Sequence, residues 1–211
     1  MLLAIDTSAG TSVAVVDRDR GILAEHSVED TRRHAEVIGS LIVACLDESG
    51  IATAALSGVA VGMGPGPFTG LRVGVAAANA FAFGSAKPVF RVPSHDAVAF
   101  AHFRSGGSGP LLVTTDARRH ERYWSAYRGQ DDAGLPVRDG GPGLDRPDTI
   151  PEAVTDYEGY LRLDVDWVSA ASVGLLAESL CLQGREFAGP TPLYLRSPDV
   201  TVASAAKRVT R

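Results

Sequence analysis

Asp6 closes the apolar run LLAI and opens the polar turn Asp6, Thr7, Ser8, Ala9, Gly10. A carboxylate at a strand end, followed by such a turn, could serve phosphate chemistry. The backbone N–H groups would cradle the anion while the Asp acts through a metal ion. The same residues also make an ordinary Asx turn. A working site needs a second phosphate turn in the later half. That half offers Asp116, Ala117, Arg118, Arg119 and His120, without a glycine to let phosphate reach the backbone. Nucleotide hydrolysis by this chain alone is therefore not expected. GPGPFTG, from Gly64 to Gly70, is a glycine-rich loop that matches neither the dinucleotide fingerprint nor the P-loop, whose Lys it lacks. The helix start behind it could accept an anion from a neighbour, but its main message is structural.

The remaining reactive side chains give weaker leads. His34 opens a helix, and the position four residues on, where a metal pair needs a second ligand, is Ile38. His95 and His102 are two helical turns apart without an acidic or Cys partner at suitable spacing. Solvent-facing or capping histidines are the expectation, with no metal site. Ser8 and Ser12 lack the surroundings of a nucleophile. Cys45 and Cys181 sit far apart within apolar helical patterns and read as reduced, buried thiols. Asp116, Arg118, Tyr123, Trp124 and Tyr127 could stack on a base. Tyr123 and Trp124 alternate along a strand, however, which favours core packing, one inward and one outward, with an Asp–Arg pair at the turn.

The elements that must position these groups are legible in order. Strands are predicted at Leu2 to Ile5, Ser12 to Val16 and Ile22 to Val28, forming a meander. A helix follows over Arg33 to Glu48, stopped by Gly50. A brief strand at Val59 to Val61 leads through GPGPFTG into a helix capped by Thr69 and ended by Gly84. Pro88 to Val92 is a strand, and Ser94 caps another helix. The order βββαβαβα resembles a ribonuclease-H-like half-domain. After the flexible stretch 105–109, LLVTTDARRHERYWSAY from Leu111 echoes LLAIDTSAGTSVAVV from Leu2 as a short degenerate repeat. The region Gly129 to Asp148 reads as loop with one edge strand, and Ser169 to Leu182 as a helix. The expected fold is α/β with two actin-like subdomains, 1–104 and a smaller, degenerate 110–197, then a mobile tail at 198–211.

The helix after GPGPFTG is apolar almost all round, with only Arg72 and Asn79 polar, so it must be covered on more than one side. The sheet claims Leu71, Val75, Ala78 and Ala82. Gly70, Gly74, Ala77 and Phe81 then form a second face suited to a close helix. With Arg72 and with His34, Val37, Ile38 and Leu41 of the preceding helix, that face is the candidate partner interface.

Over 211 residues the net charge is −5 with dispersed basic residues, which argues against a general nucleic-acid surface. The apolar start lacks the marks of a signal peptide, and no apolar run approaches a membrane span. A cytoplasmic protein is expected.

Five segments in this order resemble the TsaB (YeaZ) family: LLAIDTS from Leu2, RRHAEVI from Arg32, GPGPFTGLRVG from Gly64, DARRHERYW from Asp116 and PLYLR from Pro192. Gly64, Gly66, Thr69, Asp116 and Arg118 carry the most specific parts. Pro67 departs from the small polar residue more usual there, and the second half is rather short. The resemblance implies a noncatalytic scaffold subunit in the synthesis of threonylcarbamoyladenosine in tRNA. Its implied partners are a TsaD-like catalytic subunit and a TsaE-like ATPase, with a homodimer when the partner is absent. It further implies tRNA contact only through the complex, no membrane, and no cofactor of its own beyond ATP or ADP at the partner interface. The competing reading is an actin-like ATPase or small-molecule kinase using Asp6.

Overall fold

A computed structural model describes residues 1–196. The first half contains β1 (Leu2–Asp6), β2 (Thr11–Asp17), β3 (Gly21–Val28), α1 (His34–Ser49), β4 (Gly58–Gly62), α2 (Phe68–Ser85), β5 (Val89–Val92) and α3 (Ser94–Arg104). The second contains β6 (Leu111–Asp116), β7 (Arg122–Gln130), β8 (Pro136–Asp145), α4 (Ile150–Ala153), β9 (Leu161–Val165) and α5 (Ala170–Leu182). The sheet orders are β3-β2-β1-β4-β5 and β8-β7-β6-β9. Each sheet is an antiparallel meander with a parallel strand added beside its first member, β4 on β1 and β9 on β6. The short echo between Leu2 and Leu111 is thus a repeat of topology. The tail at 198–211 lies outside the described residues.

Strand alternation assigns the two faces of the first sheet. Leu3, Ile5, Val13, Val15, Val59 and Val61 pack toward α1 and α2, with Ile38, Cys45, Ala78 and Ala82. The opposite face carries the smaller Ala4, Ala14 and Ala60, and this is where α5 lies. A Cβ on Gly174 of α5 would stand 2.6 Å from a Val16 methyl and 3.0 Å from the Ala4 methyl, so the helix backbone rests directly on the side chains of the sheet. Ser169 caps α5 by accepting from the Ser172 N–H at 3.2 Å. Glu25 Oε1 accepts from Ser169 Oγ at 2.8 Å and from the Ala171 N–H at 3.1 Å. A carboxylate at the positive end of a helix dipole strengthens this anchor.

Packing crosses the expected boundary between 1–104 and 110–197. α5, drawn from the 110–197 segment, covers the first sheet, while α3, from the 1–104 segment, packs against β6, β7 and β8. One continuous cluster runs from Leu2 and Ala4 through α3 and α5 to Leu111, Val113 and Tyr127. The two halves share their core. Trp124 points to the far side of the second sheet but is covered by Ile150 and Val154. Its indole N–H donates to Asp145 at 2.7 Å.

Two expectations about reactive side chains change here. Cys45 is buried, with its pKa pushed up to about 11 by desolvation, but Cys181 is exposed. His95 is not at the surface: it is fully buried between Ser125 Oγ at 2.9 Å and Thr115 Oγ1 at 3.0 Å, joining α3 to the second sheet. Burial, reinforced by Arg138, holds its pKa down to about 3. The unfolded chain therefore binds a proton at His95 that the folded chain refuses, and stability must fall as pH drops from about 6.5 toward 3. We expect thermal melts between pH 7 and 5 to show such a slope, up to about 1.4 kcal/mol per pH unit for one proton. His95→Gln should flatten it in part, since desolvation also lowers the pKa of His34. An unchanged slope in a folded variant would exclude His95 as its source.

Candidate functional site

The predicted phosphate turn is closed. Asp6, Thr7 and Ser8 are at most 3% exposed. Asp6 Oδ1 accepts from the Ser8 N–H at 2.8 Å and from Ser8 Oγ at 2.6 Å, while Oδ2 accepts from Ser94 Oγ at 2.6 Å. Ser94 Oγ accepts in turn from the Gly64 N–H at 3.0 Å. Desolvation, outweighing these hydrogen bonds, raises the Asp6 pKa. Both carboxylate oxygens are thus engaged inside the protein. The GPGPFTG loop lies directly over the turn, and a Cβ on Gly66 would stand 2.7 Å from the Ser8 carbonyl oxygen. The alternative that uses Asp6 as a phosphate-site carboxylate needs this arrangement to open.

The same contacts correct the second face assigned to α2. Gly70 and Gly74 are buried, and they meet Thr7 of this chain. A Cβ on Gly70 would lie 2.7 Å from the Thr7 carbonyl oxygen, and one on Gly74 would collide with Thr7 Oγ1. Thr7 Oγ1 donates to the Gly70 carbonyl at 2.8 Å. The buried stripe is Gly70, Gly74, Ala78 and Ala82, with Leu71 beside it. Its strict four-residue spacing was the available signal. Of the predicted interface residues, His34 and Ile38 are also buried, and Val37, Leu41, Ala77 and Phe81 are half-buried. Only Arg72 is exposed. The outward side of α2 is instead Arg72, Ala76, Asn79, Ala80 and Phe83, and that of α1 includes Gly39, Ser40 and Val43. Phe83 is 91% exposed and Val43 57%.

Helix termini differ as well. α2 begins at Phe68 with Pro67 in the N-cap position and no side-chain cap, so Thr69 lies within the first turn. The helix runs past Gly84 to a left-handed Ala86. Ser94 is the first residue of α3, and its hydroxyl serves Asp6 rather than the helix end.

Asp116 and Arg118 do not form a side-chain pair. Asp116 Oδ1 accepts from the Arg118 backbone N–H at 3.1 Å, while the guanidinium crosses to Thr31 Oγ1 at 2.7 Å. Arg118, Arg119 and His120 all have φ between 55° and 61°, a left-handed run that costs L residues about 1–2 kcal/mol each. PLYLR closes the other side: the Leu193 N–H donates to the Met63 carbonyl at 2.8 Å. The Tyr194 ring packs 4.8 Å from that of Phe68. Arg196 donates to the Ala117 carbonyl at 2.9 Å and pairs with Glu121. Among the described residues no cluster of three His, Cys, Asp or Glu side chains could hold a metal ion.

Residues 14–137, more than half of the chain, match the family model described as "TsaD: tRNA N6-adenosine threonylcarbamoyltransferase". The solved structure of YeaZ from Pseudomonas aeruginosa has a TM-score of 0.73 at 27% identity, covering 92% of this chain and 99% of that one. The chain belongs to the TsaB (YeaZ) family. The "tRNA threonylcarbamoyladenosine biosynthesis protein TsaB" of Escherichia coli is 28% identical over 174 residues, 82% of this chain and 74% of that protein. An uncharacterized protein of Mycobacterium tuberculosis is 42% identical over 130 residues, 60% of this chain. The match spans 58% of that mycobacterial relative's own length. The two-sheet α/β architecture is shared with that YeaZ structure.

Helix propensity alone makes Gly74→Ala stabilising by up to about 1 kcal/mol. The collision with Thr7 reverses that sign, and overpacking of this kind costs about 1–3 kcal/mol. Chemical denaturation of Gly74→Ala is therefore expected to show a loss of stability. A gain would mean that α2 does not approach the turn so closely.

Proposed function

We propose that this chain acts in tRNA threonylcarbamoyladenosine synthesis as a noncatalytic scaffold for a TsaD-type catalytic subunit. The observation that carries the proposal is family membership combined with a sealed Asp6 turn. A scaffold needs a stable surface and no reactive group, and both Asp6 oxygens are committed to internal hydrogen bonds.

The docking surface in this reading is the outward side of α1 and α2. Ala76, Ala80 and Gly39 leave the helix backbones open to close approach by a partner helix, and exposed Val43 and Phe83 supply apolar area. A second copy of the chain would use the same surface when the catalytic subunit is absent, while a TsaE-type ATPase would join the pair. Contact with tRNA, and ATP or ADP at the partner interface, would come through the assembly. The compartment is the cytoplasm; among the described residues no helix is long and apolar enough to cross a membrane.

Ala80→Arg is the direct test, because Ala80 is exposed whereas Ala77 packs between helices. Co-purification with the TsaD homologue of the same source should be lost while circular dichroism and melting temperature stay unchanged. A folded variant that still binds would move the interface elsewhere. The isolated protein is also expected to turn over no ATP and to transfer no threonylcarbamoyl group. Turnover that tracked the protein through successive purification steps would remove the scaffold reading.

A further inference from the structure

The segments containing Arg32, Phe68, Arg118 and Arg196 enclose a cleft of about 650 Å³. Although the protein is acidic overall, among the described residues no carboxylate lines this cleft; the ionisable groups there are Arg32, His34, Arg118, Arg196 and Tyr123. Arg196 is paired with Glu121, and Arg32 lies 3.5 Å from Asp30. Among the described residues the Arg118 guanidinium meets only the neutral Thr31 hydroxyl.

Two independent features point into the cleft. α2 opens there without a side-chain cap, and Pro67 has no side-chain acceptor to offer the first-turn N–H groups of Phe68, Thr69 and Gly70. His34 is only 6% exposed, yet among the described residues just one of its ring nitrogens has a hydrogen-bond partner. Its Nδ1 is 2.7 Å from Thr11 Oγ1. Its Nε2 lines the cleft beside Gly70, where a Cβ would stand 3.0 Å away. In the tautomer where Thr11 Oγ1 donates to Nδ1, Nε2 carries the hydrogen. That N–H, an open helix start and a guanidinium with no carboxylate partner among the described residues then form a donor set around one space.

We propose that this cleft binds the phosphate group of a small phosphorylated molecule, held by His34 Nε2, the first turn of α2 and Arg118. The site is distinct from the sealed Asp6 turn and from the outward side of α1 and α2, and a scaffold role does not require it. The volume admits a mononucleotide, whose phosphate the donors would take.

Titration of the full chain with inorganic pyrophosphate, AMP and adenosine, followed by NMR, tests the proposal. Saturable shifts are expected at the Phe68, Thr69 and Gly70 amides and the His34 ring with pyrophosphate or AMP, and none with adenosine. Saturation by pyrophosphate identifies phosphate alone as sufficient; saturation by AMP only identifies a nucleotide phosphate. Arg118→Asn removes the guanidinium, and Asn tolerates the left-handed backbone at this position. That variant is expected to bind about tenfold more weakly. The proposal is overturned by absent saturation, by shifts centred elsewhere, or by adenosine binding as tightly as AMP. Should Arg118→Asn alter the fold, the shift map on the unmodified protein still decides.

Discussion

A carboxyl group inside a protein is costly unless its hydrogen-bonding capacity is filled, and the rest of the first half is arranged around filling that of Asp6. Ser8 supplies two donors from the turn that Asp6 itself begins, and Ser94 supplies a third from the start of α3. Because Ser94 also takes the Gly64 N–H, the same hydroxyl fixes the loop before α2. Gly62 makes room for the carboxylate, since a Cβ there would overlap Asp6 Oδ2. One buried carboxyl group thereby sets the relative positions of β1, β4, α2 and α3. A turn that could have received phosphate has become a joint.

Much of this arrangement is readable from residue order. The alternation of large and small residues in β1, β2 and β4 announces a sheet covered on both faces, and the stops at Gly50 and Ser169 fall where helices end and begin. The assignment of faces on α2 fails for a specific reason. At 3.6 residues per turn, steps of three and four both return near the same side. Gly70 and Gly74 can therefore be continued to Ala77 and Phe81 or to Ala78 and Ala82. The choice depends on where Thr7 stands, which is a tertiary fact. Thr69 and Ser94 likewise carry good capping side chains, but Pro67 and Pro93 hold the N-cap positions.

The cleft was the least legible feature. Its walls come from four of the five segments that identify the family, separated by tens of residues, and no local spacing connects Arg32, Gly70, Arg118 and Arg196. His34 and His95 read as surface residues because a lone histidine gives no sign of the hydroxyls that will meet it. Thr11 for the one, and Thr115 with Ser125 for the other, are brought by strand pairing.

The exchange of helices between the halves also governs the order in which the protein can be completed during synthesis. When the first half leaves the ribosome, the Ala4, Ala14 and Ala60 face of its sheet is bare, and the helix that will cover it is encoded last among the described elements. Glu25 waits equally long for the Ser169 hydroxyl. The nascent first half must remain an open, sticky intermediate until α5 emerges, so a chain interrupted before residue 170 exposes apolar surface and invites aggregation or chaperone capture.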